Sequence, residues 1–333
     1  MGGEQPGHGT VPRMKILVTG SSGHLGEALV RRLRQLQHDV VSVDVVPSPF
    51  TTRVASIVNR DVVRECMQGV DAVLHSATLH KPHVATHSRQ AFVDTNITGT
   101  LNLLEEAVEA QVGAFIFTST TSTFGDALTP PADAPAAWIT EEVRPRPKNI
   151  YGATKTAAED LCQLFSRNQA LPCLVLRTSR FFPEGDDSED VRAALADANV
   201  KANEFLHRRV DVADVVSAHV RALEMAPQLR FDKFIISATT PFTPSDLPEL
   251  RTDAVAVLKR RVPRFEAIYS ARGWKAPVEI DRVYVNDRAR SRLGWEPVYD
   301  FERILRHLER DEDPRSDLAQ VVGAKGYHGS ARR

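Results

Sequence analysis

Residues Lys15 to Gln37 read KILVTGSSGHLGEALVRRLRQLQ. The opening KILVTG is a continuous apolar run of the length of a strand buried on both faces. From His24 onward, apolar residues recur at helical spacing. Between the two, Gly20, Gly23 and Gly26 stand as GxxGxxG. Positions without side chains let the backbone approach a pyrophosphate, which then rests on the partial positive charge of the helix N-terminus. Glycines also make ordinary turns. The place of these three, between a strand and a helix, is what points to a dinucleotide site.

The same rhythm continues outward. DVVSVDVV is a second strand, DVVRECMQG is helical, and DAVLHSA is a strand again. TGTLNLLEEAVEAQ is a helix, AFIFTST a strand, ATKTAAEDLCQLFSRN a helix and PCLVLRTSRF a further strand. Alternating strands and helices predict an α/β fold, a doubly wound parallel sheet of Rossmann type. After Phe181 the rhythm breaks into mixed pieces, which predicts a small C-terminal α/β substrate lobe. The expected organisation is a disordered leader at 1–13, a dinucleotide-binding domain at 14–180 and a mainly substrate-binding lobe at 181–310. Elements after 208 partly return to the first domain. A polar tail without helical periodicity, at 311–333, is expected to be mobile.

Composition narrows the classes. The 333 residues carry 42 Lys+Arg against 43 Asp+Glu, a balance that creates no field for nucleic acid or an anionic membrane. No apolar run approaches membrane-spanning length, and the first residues lack the apolar segment of a signal peptide. Cys66, Cys162 and Cys173 stand far apart among apolar neighbours, as expected of buried reduced thiols in a cytoplasmic protein.

Asp44 ends the second strand. A carboxylate there accepts hydrogen bonds from the adenosine ribose hydroxyls and repels a 2′-phosphate, which favours NAD over NADP. The plain alternative is a turn cap. Further on, NIYGATK places Tyr151 and Lys155 at i, i+4 on a helix that follows the proline-punctuated RPRPK. Such a pair can simply pack on a surface. Beside a nicotinamide it can do chemistry: the ammonium and the positive ring both favour phenolate. A hydroxyl from Thr120 would hold a substrate oxygen in line with the phenol. That set removes a proton from a secondary alcohol while hydride leaves its carbon.

Together VTGSSGHLG, GVDAVLHSA, NITGT, FTSTTSTFG, YGATK and LGWEP resemble the extended short-chain dehydrogenase/reductases of the NAD-dependent epimerase/dehydratase family, over roughly Met14 to Leu308. The resemblance implies Tyr151 as acid/base, Lys155 as its activator and Thr120 as the partner hydroxyl. It implies an NAD site made by Gly20, Ser22, Gly23, His24, Leu25 and Gly26 with Asp44. Ser56, Ile57, Ser76, Ala77, Thr78, Asn96 and Thr118 extend that site, Ala77 against the cofactor ribose and Asn96 supporting the lysine through water. Both Tyr151 and Lys155 also contact the cofactor.

Departures qualify what is implied. Ser56 stands where the family usually has an aspartate facing the adenine, and Phe124 replaces the tyrosine of the family's VYG. Thr121 and Ser122 replace the Asp-Glu pair of the dehydratases, which argues against dehydration. LRTSRFFPEGDD puts Arg180 near the place of a substrate-facing asparagine, and the usual nucleotide grip is shortened. Arg180, Arg208 and Arg209 then either pin a small anion or pair with the acids of EGDDSED. Thr121, with His80 or Lys81, belongs to the expected substrate mouth. His80, His83 and His87 cluster without a carboxylate or thiol beside them, so no metal is expected.

The leading expectation is an NAD-dependent enzyme oxidising a secondary alcohol of a sugar, sugar acid or nucleotide-sugar, as an epimerase or a dehydrogenase. The alternative is an NAD-sensing binding protein without catalysis. Surplus apolar residues on TGTLNLLEEAVEA and ATKTAAEDLCQLF predict a homodimer, the alternative being that the smaller lobe covers them.

Overall fold

The computed structural model describes residues 13–186 and 188–326. Seven strands form one sheet: β1 (Lys15–Thr19), β2 (Asp39–Asp44), β3 (Arg53–Val54), β4 (Ala72–His75), β5 (Ala114–Thr120), β7 (Cys173–Thr178) and β8 (Phe231–Ile236). Their order is β3-β2-β1-β4-β5-β7-β8, and every pairing is parallel. The doubly wound parallel sheet expected from the sequence is present. Two three-residue strands, β6 (Ala137–Ile139) and β9 (Arg282–Tyr284), pair separately.

The strand sequences are apolar throughout because both sheet faces are covered. Ile16 and Val18 point into one core, with Leu29 and Leu33 of helix α1 (His24–Gln35) and Val215 and Ala222 of the later helix Val212–Leu229. Leu17, between them, points into the opposite core. There it meets α2 (Arg60–Cys66) and, beyond a short α3 (Arg89–Val93), α4 (Gly99–Glu109) and α5 (Ile150–Gln169). Period-two alternation delivers each strand to two different helix layers.

A third core belongs to the small lobe. It gathers Phe205 and Leu206, the helix Ala254–Arg261, the helix Phe265–Arg272 and the helix Phe301–Glu309. Val212–Leu229 and β8 return to the large sheet. Ala137–Ile139 leaves the N-terminal half to pair with the lobe's Arg282–Tyr284.

The C-terminal tail departs from expectation. Residues Asp317–Val322 form a helix capped by Ser316, whose hydroxyl accepts from the amide of Ala319. Val322 is buried, and Leu318 and Ala319 pack on the core beside α1. Ser316 also donates to Asp211 at 2.5 Å. Six residues are too short for their periodicity to stand out, and docking supplies the stability that a lone turn lacks. The expected leader lies, apart from Arg13, outside the described residues, as do 327–333. The cysteines are buried and free of disulfides.

Candidate active site

Strand order reverses at β1: the chain moves outward to β2 and β3, then returns to place β4 on the other side of β1. Open parallel sheets bind ligands outside the strand ends at such a point. The loops leaving β1 and β4 meet there at close range. A Cβ on Gly20 would lie 2.7 Å from the backbone nitrogen of Ala77, and Gly20 holds a φ of +76°. A Cβ on Gly26 would lie 1.9 Å from the carbonyl oxygen of Gly20. Gly23 caps the N-terminus of α1 without a side-chain hydrogen bond, so the first amides of the helix keep room for an anion. The cradle fits a pyrophosphate.

Asp44 sits beside it. One carboxylate oxygen accepts from the amide of Ser22 and the other from that of Val46, both at 2.9 Å. Asp44 therefore braces the glycine loop at the edge where a ribose would lie. Other residues of the expected cofactor site are held by neighbours. Leu25 is buried in the core. Ser56 receives the amide of Val58 at 3.2 Å, and Ile57 packs against Gly99. Ser76 donates to the carbonyl of Thr19 at 2.7 Å, and the amide of Ala77 donates to the Thr19 hydroxyl at 3.1 Å.

Asn96 lies in a single π-turn, Asp94–Thr98, set between α3 and α4. Such turns rotate a side chain off the regular helical face. The amide of Asn96 accepts from the amide of Leu79 at 2.8 Å and from the hydroxyl of Thr78 at 2.9 Å. It donates to Thr154, the neighbour of Lys155, at 3.0 Å. Asn96 thus ties the loop after β4 to the helix that carries Tyr151 and Lys155.

The chemistry-bearing trio converges at the end of β5. Asn149 caps α5 by accepting from the amide of Gly152 at 3.0 Å, which fixes where Tyr151 begins the helix. The Tyr151 phenol lies near the hydroxyl of Thr120, and both residues are buried. Lys155, one turn on, donates to the carbonyl oxygen of Thr118 at 2.6 Å. The hydroxyl of Thr118 points to the other sheet face, 2.8 Å from His219. Thr121 begins the turn after β5 and is buried.

Burial sets the protonation states of these side chains. It pushes the phenol up to about 12, with the neighbouring Thr120 hydroxyl pulling the other way. It drops the Lys155 ammonium to about 7, against the nearby Cys162 and Glu159. The expectation from the sequence is that the ammonium and a positive nicotinamide ring together favour phenolate; in the protein alone desolvation is the largest influence on both groups.

Beneath the trio lies a group that the sequence reading missed. Glu159, one turn after Lys155, accepts from Ser119 at 2.6 Å and from Arg177 at 2.7 Å, with Lys233 at 3.3 Å. Ser119 sits between Thr118 and Thr120, so a buried ion pair anchors the strand end that presents both. An acid on the buried stripe of an otherwise apolar helix face was the available signal.

Of the expected substrate residues, Lys81 lines a cleft of about 730 Å³ together with Asn149, Asp186 and Arg192 among others, while His80, Thr121, Arg180 and Arg208 are not part of its lining. His80 stacks on Phe182, centroids 5.6 Å apart. The rings of His80, His83 and His87 succeed one another at 4.5 and 4.9 Å along the turn Lys81–Ala85. Arg180 reaches Asp186 at 3.5 Å, and Arg208 reaches Asp186 at 3.7 Å and Glu204 at 3.1 Å. Arg209 is taken by Glu204 at 2.6 Å. The ion-pair alternative is what this state displays, with Asp186 as the acid from EGDDSED.

Residues 16–233 match the NAD dependent epimerase/dehydratase family. The chain belongs to this family. Its cofactor is NAD, as the family's name states and the glycine cradle accommodates. A 3-beta-hydroxysteroid dehydrogenase of Mycolicibacterium neoaurum is 25% identical over 87% of this chain and 89% of its own length. A UDP-glucose 4-epimerase of Rhizobium meliloti (strain 1021) is 26% identical over 87% and 94%. Among solved structures, a short-chain dehydrogenase/reductase superfamily protein from Agrobacterium tumefaciens with bound NAD superposes with a TM-score of 0.63. It is 22% identical, covering 92% of this chain and 99% of that one. Among the described residues, no helix is long and apolar enough to cross a membrane, and no group of three or more His, Cys, Asp or Glu could hold a metal ion.

Proposed function

We propose that this protein oxidises a secondary alcohol of a sugar, sugar acid or nucleotide-sugar, as an epimerase or a dehydrogenase. The observation that supports the reading is the placement of the buried Thr120, Tyr151 and Lys155 about the end of β5, where Lys155 donates to the carbonyl oxygen of Thr118 at 2.6 Å. When bound, NAD supplies the hydride acceptor. Thr120 orients the alcohol oxygen, and the Tyr151 phenol oxygen takes its proton. Lys155 exchanges its Thr118 contact for the cofactor's ribose and brings positive charge to the phenol. In an epimerase the same phenol returns the proton after the keto group has rotated.

The two relatives named above act, by their names, on a steroid alcohol and a sugar nucleotide. A secondary alcohol is what those substrates share. Lys81, Asn149 and Arg192, which line the cleft beside Pro82, Val84 and Ala85, offer the polar contacts a sugar would use. Its acidic variants gain support from Arg180 and Arg208, whose long contacts to Asp186 are weak enough for an incoming anion to replace. We also propose a cytoplasmic homodimer joined through α4 and α5, where Leu164 stands exposed. Incubating the protein with NAD and a panel of aldoses, uronic acids and UDP-sugars tests the activity. NADH accumulation marks a dehydrogenase, and a changed sugar without NADH marks an epimerase. No reaction with any of the panel, from protein that binds NAD, contradicts the reading.

A further inference from the structure

The end of the described chain returns to the cofactor cradle. After the helix Asp317–Val322 docks beside α1, Lys325 reaches the start of α1 and the loop after β7. Its backbone amide donates to Glu184 at 3.0 Å and to the His24 ring at 3.2 Å. Its ammonium pairs with Glu27. His24 opens α1 at the glycine cradle, and Glu27 lies in the same first turn. Glu184 belongs to the loop after β7, two residues from Asp186 in the substrate cleft, and lies 3.1 Å from His24. Phe182 of that loop meets the His24 ring edge-on at 5.4 Å. Burial alone would push Glu184 up, yet His24 and the Lys325 amide hold its carboxyl down to about 2.

We propose that Lys325 is a positioning residue for the cofactor site. The electrostatics give the direction of its effect. A carboxylate in the first turn of a helix that receives a pyrophosphate repels the phosphates, and Glu27 occupies that turn. Arg31 offsets part of its charge at 2.8 Å, and Lys325 offsets more from the far side. The Lys325 amide meanwhile fixes Glu184 against His24, so the substrate loop and the cradle share one fastening. Neither contact touches the reacting atoms. The inference rests on NAD binding, which belongs to the family, and stands or falls apart from the substrate reading.

The test is calorimetric titration of full-length protein with NAD, alongside the unfolding midpoint of each variant. Lys325→Ala removes the ammonium only. Lys325→Pro removes the ammonium and the amide donor together. Glu184→Gln keeps the side-chain size and weakens the charge-assisted acceptor. Lys325→Pro is expected to weaken NAD binding at least about fivefold, the lower end of ordinary coupling between sites, with Lys325→Ala intermediate. A purely structural fastening would lower the midpoint and leave NAD affinity parental. Parental NAD affinity in both Lys325→Pro and Glu184→Gln overturns the proposal; if the proline variant does not fold, Glu184→Gln with Lys325→Ala decides it.

Discussion

The ammonium of Lys155 donates to the carbonyl oxygen of Thr118 at 2.6 Å and stands 3.9 Å from the centre of the Phe117 ring. Both partners are what a buried cation accepts in place of water. Neither is a counter-charge, which is why burial lowers this lysine to about 7. A ribose hydroxyl arriving as a new acceptor would favour the charged form.

A proton-linked cofactor affinity follows. In the free protein Lys155 loses its proton as pH rises through about 7. If NADH binding restores the charge, binding takes up protons above that pH and affinity falls as pH rises further. Calorimetry of NADH binding in two buffers of different ionisation enthalpy measures the uptake. Lys155→Met should abolish it; equal uptake in parent and variant contradicts a cofactor contact for Lys155.

Gly26 carries a steric prediction. Gly26→Ala would place a methyl 1.9 Å from the carbonyl oxygen of Gly20, too close for any small adjustment. The loop must move, and the cradle moves with it. Stability should fall by roughly 1–3 kcal/mol, as for an overpacked core site, and NAD binding should be lost. Denaturant unfolding and NAD titration check the two effects, and a variant with parental NAD affinity contradicts the assigned cradle.

Asp44 is expected to make NAD the tighter cofactor. Its carboxylate already accepts from the Ser22 and Val46 amides, so its charge is held at the ribose edge. Asp44→Asn should narrow the preference over NADP, because repulsion of a 2′-phosphate goes with the charge. Titration of parent and variant with both cofactors decides it. Tighter NADP binding by the parent rules out the assignment.

Much of this architecture was legible because the sheet is buried on both faces. Ile16, Leu17 and Val18 feed two cores in alternation, so the strand reads as one apolar run. The glycine spacing and the Tyr151–Lys155 interval were equally local. Short elements were not: β3 has two residues, and β6 and β9 three each. The tail helix hid for the same reason, although Leu318, Ala319 and Val322 share a face and Ser316 is a good cap. Contacts between remote residues left no sequence trace. Lys325 and Glu184 are 141 positions apart, and Asp186 reveals its claim on Arg180 and Arg208 only in three dimensions.

The anion reading of Arg180 and Arg208 is tested by substrate choice. Arg180→Gln should raise KM for an acidic sugar while leaving kcat nearly unchanged, the signature of lost uniform binding. One charge-assisted hydrogen bond lost should amount to about tenfold or more in KM. Steady-state kinetics with an active uronic acid and its neutral aldose measures the contrast. An equal change for both substrates would remove the arginine from the substrate site.

The central claim is that the Tyr151 phenol moves the proton, and Tyr151→Phe measures it most directly. The ring stays in its buried place and only the hydroxyl is lost. NAD affinity and the unfolding midpoint should remain near the parent's, while turnover falls by about 10²–10⁴, as for removal of a general acid/base. A Tyr151→Phe protein that binds NAD normally and turns over at nearly the parental rate would contradict the account.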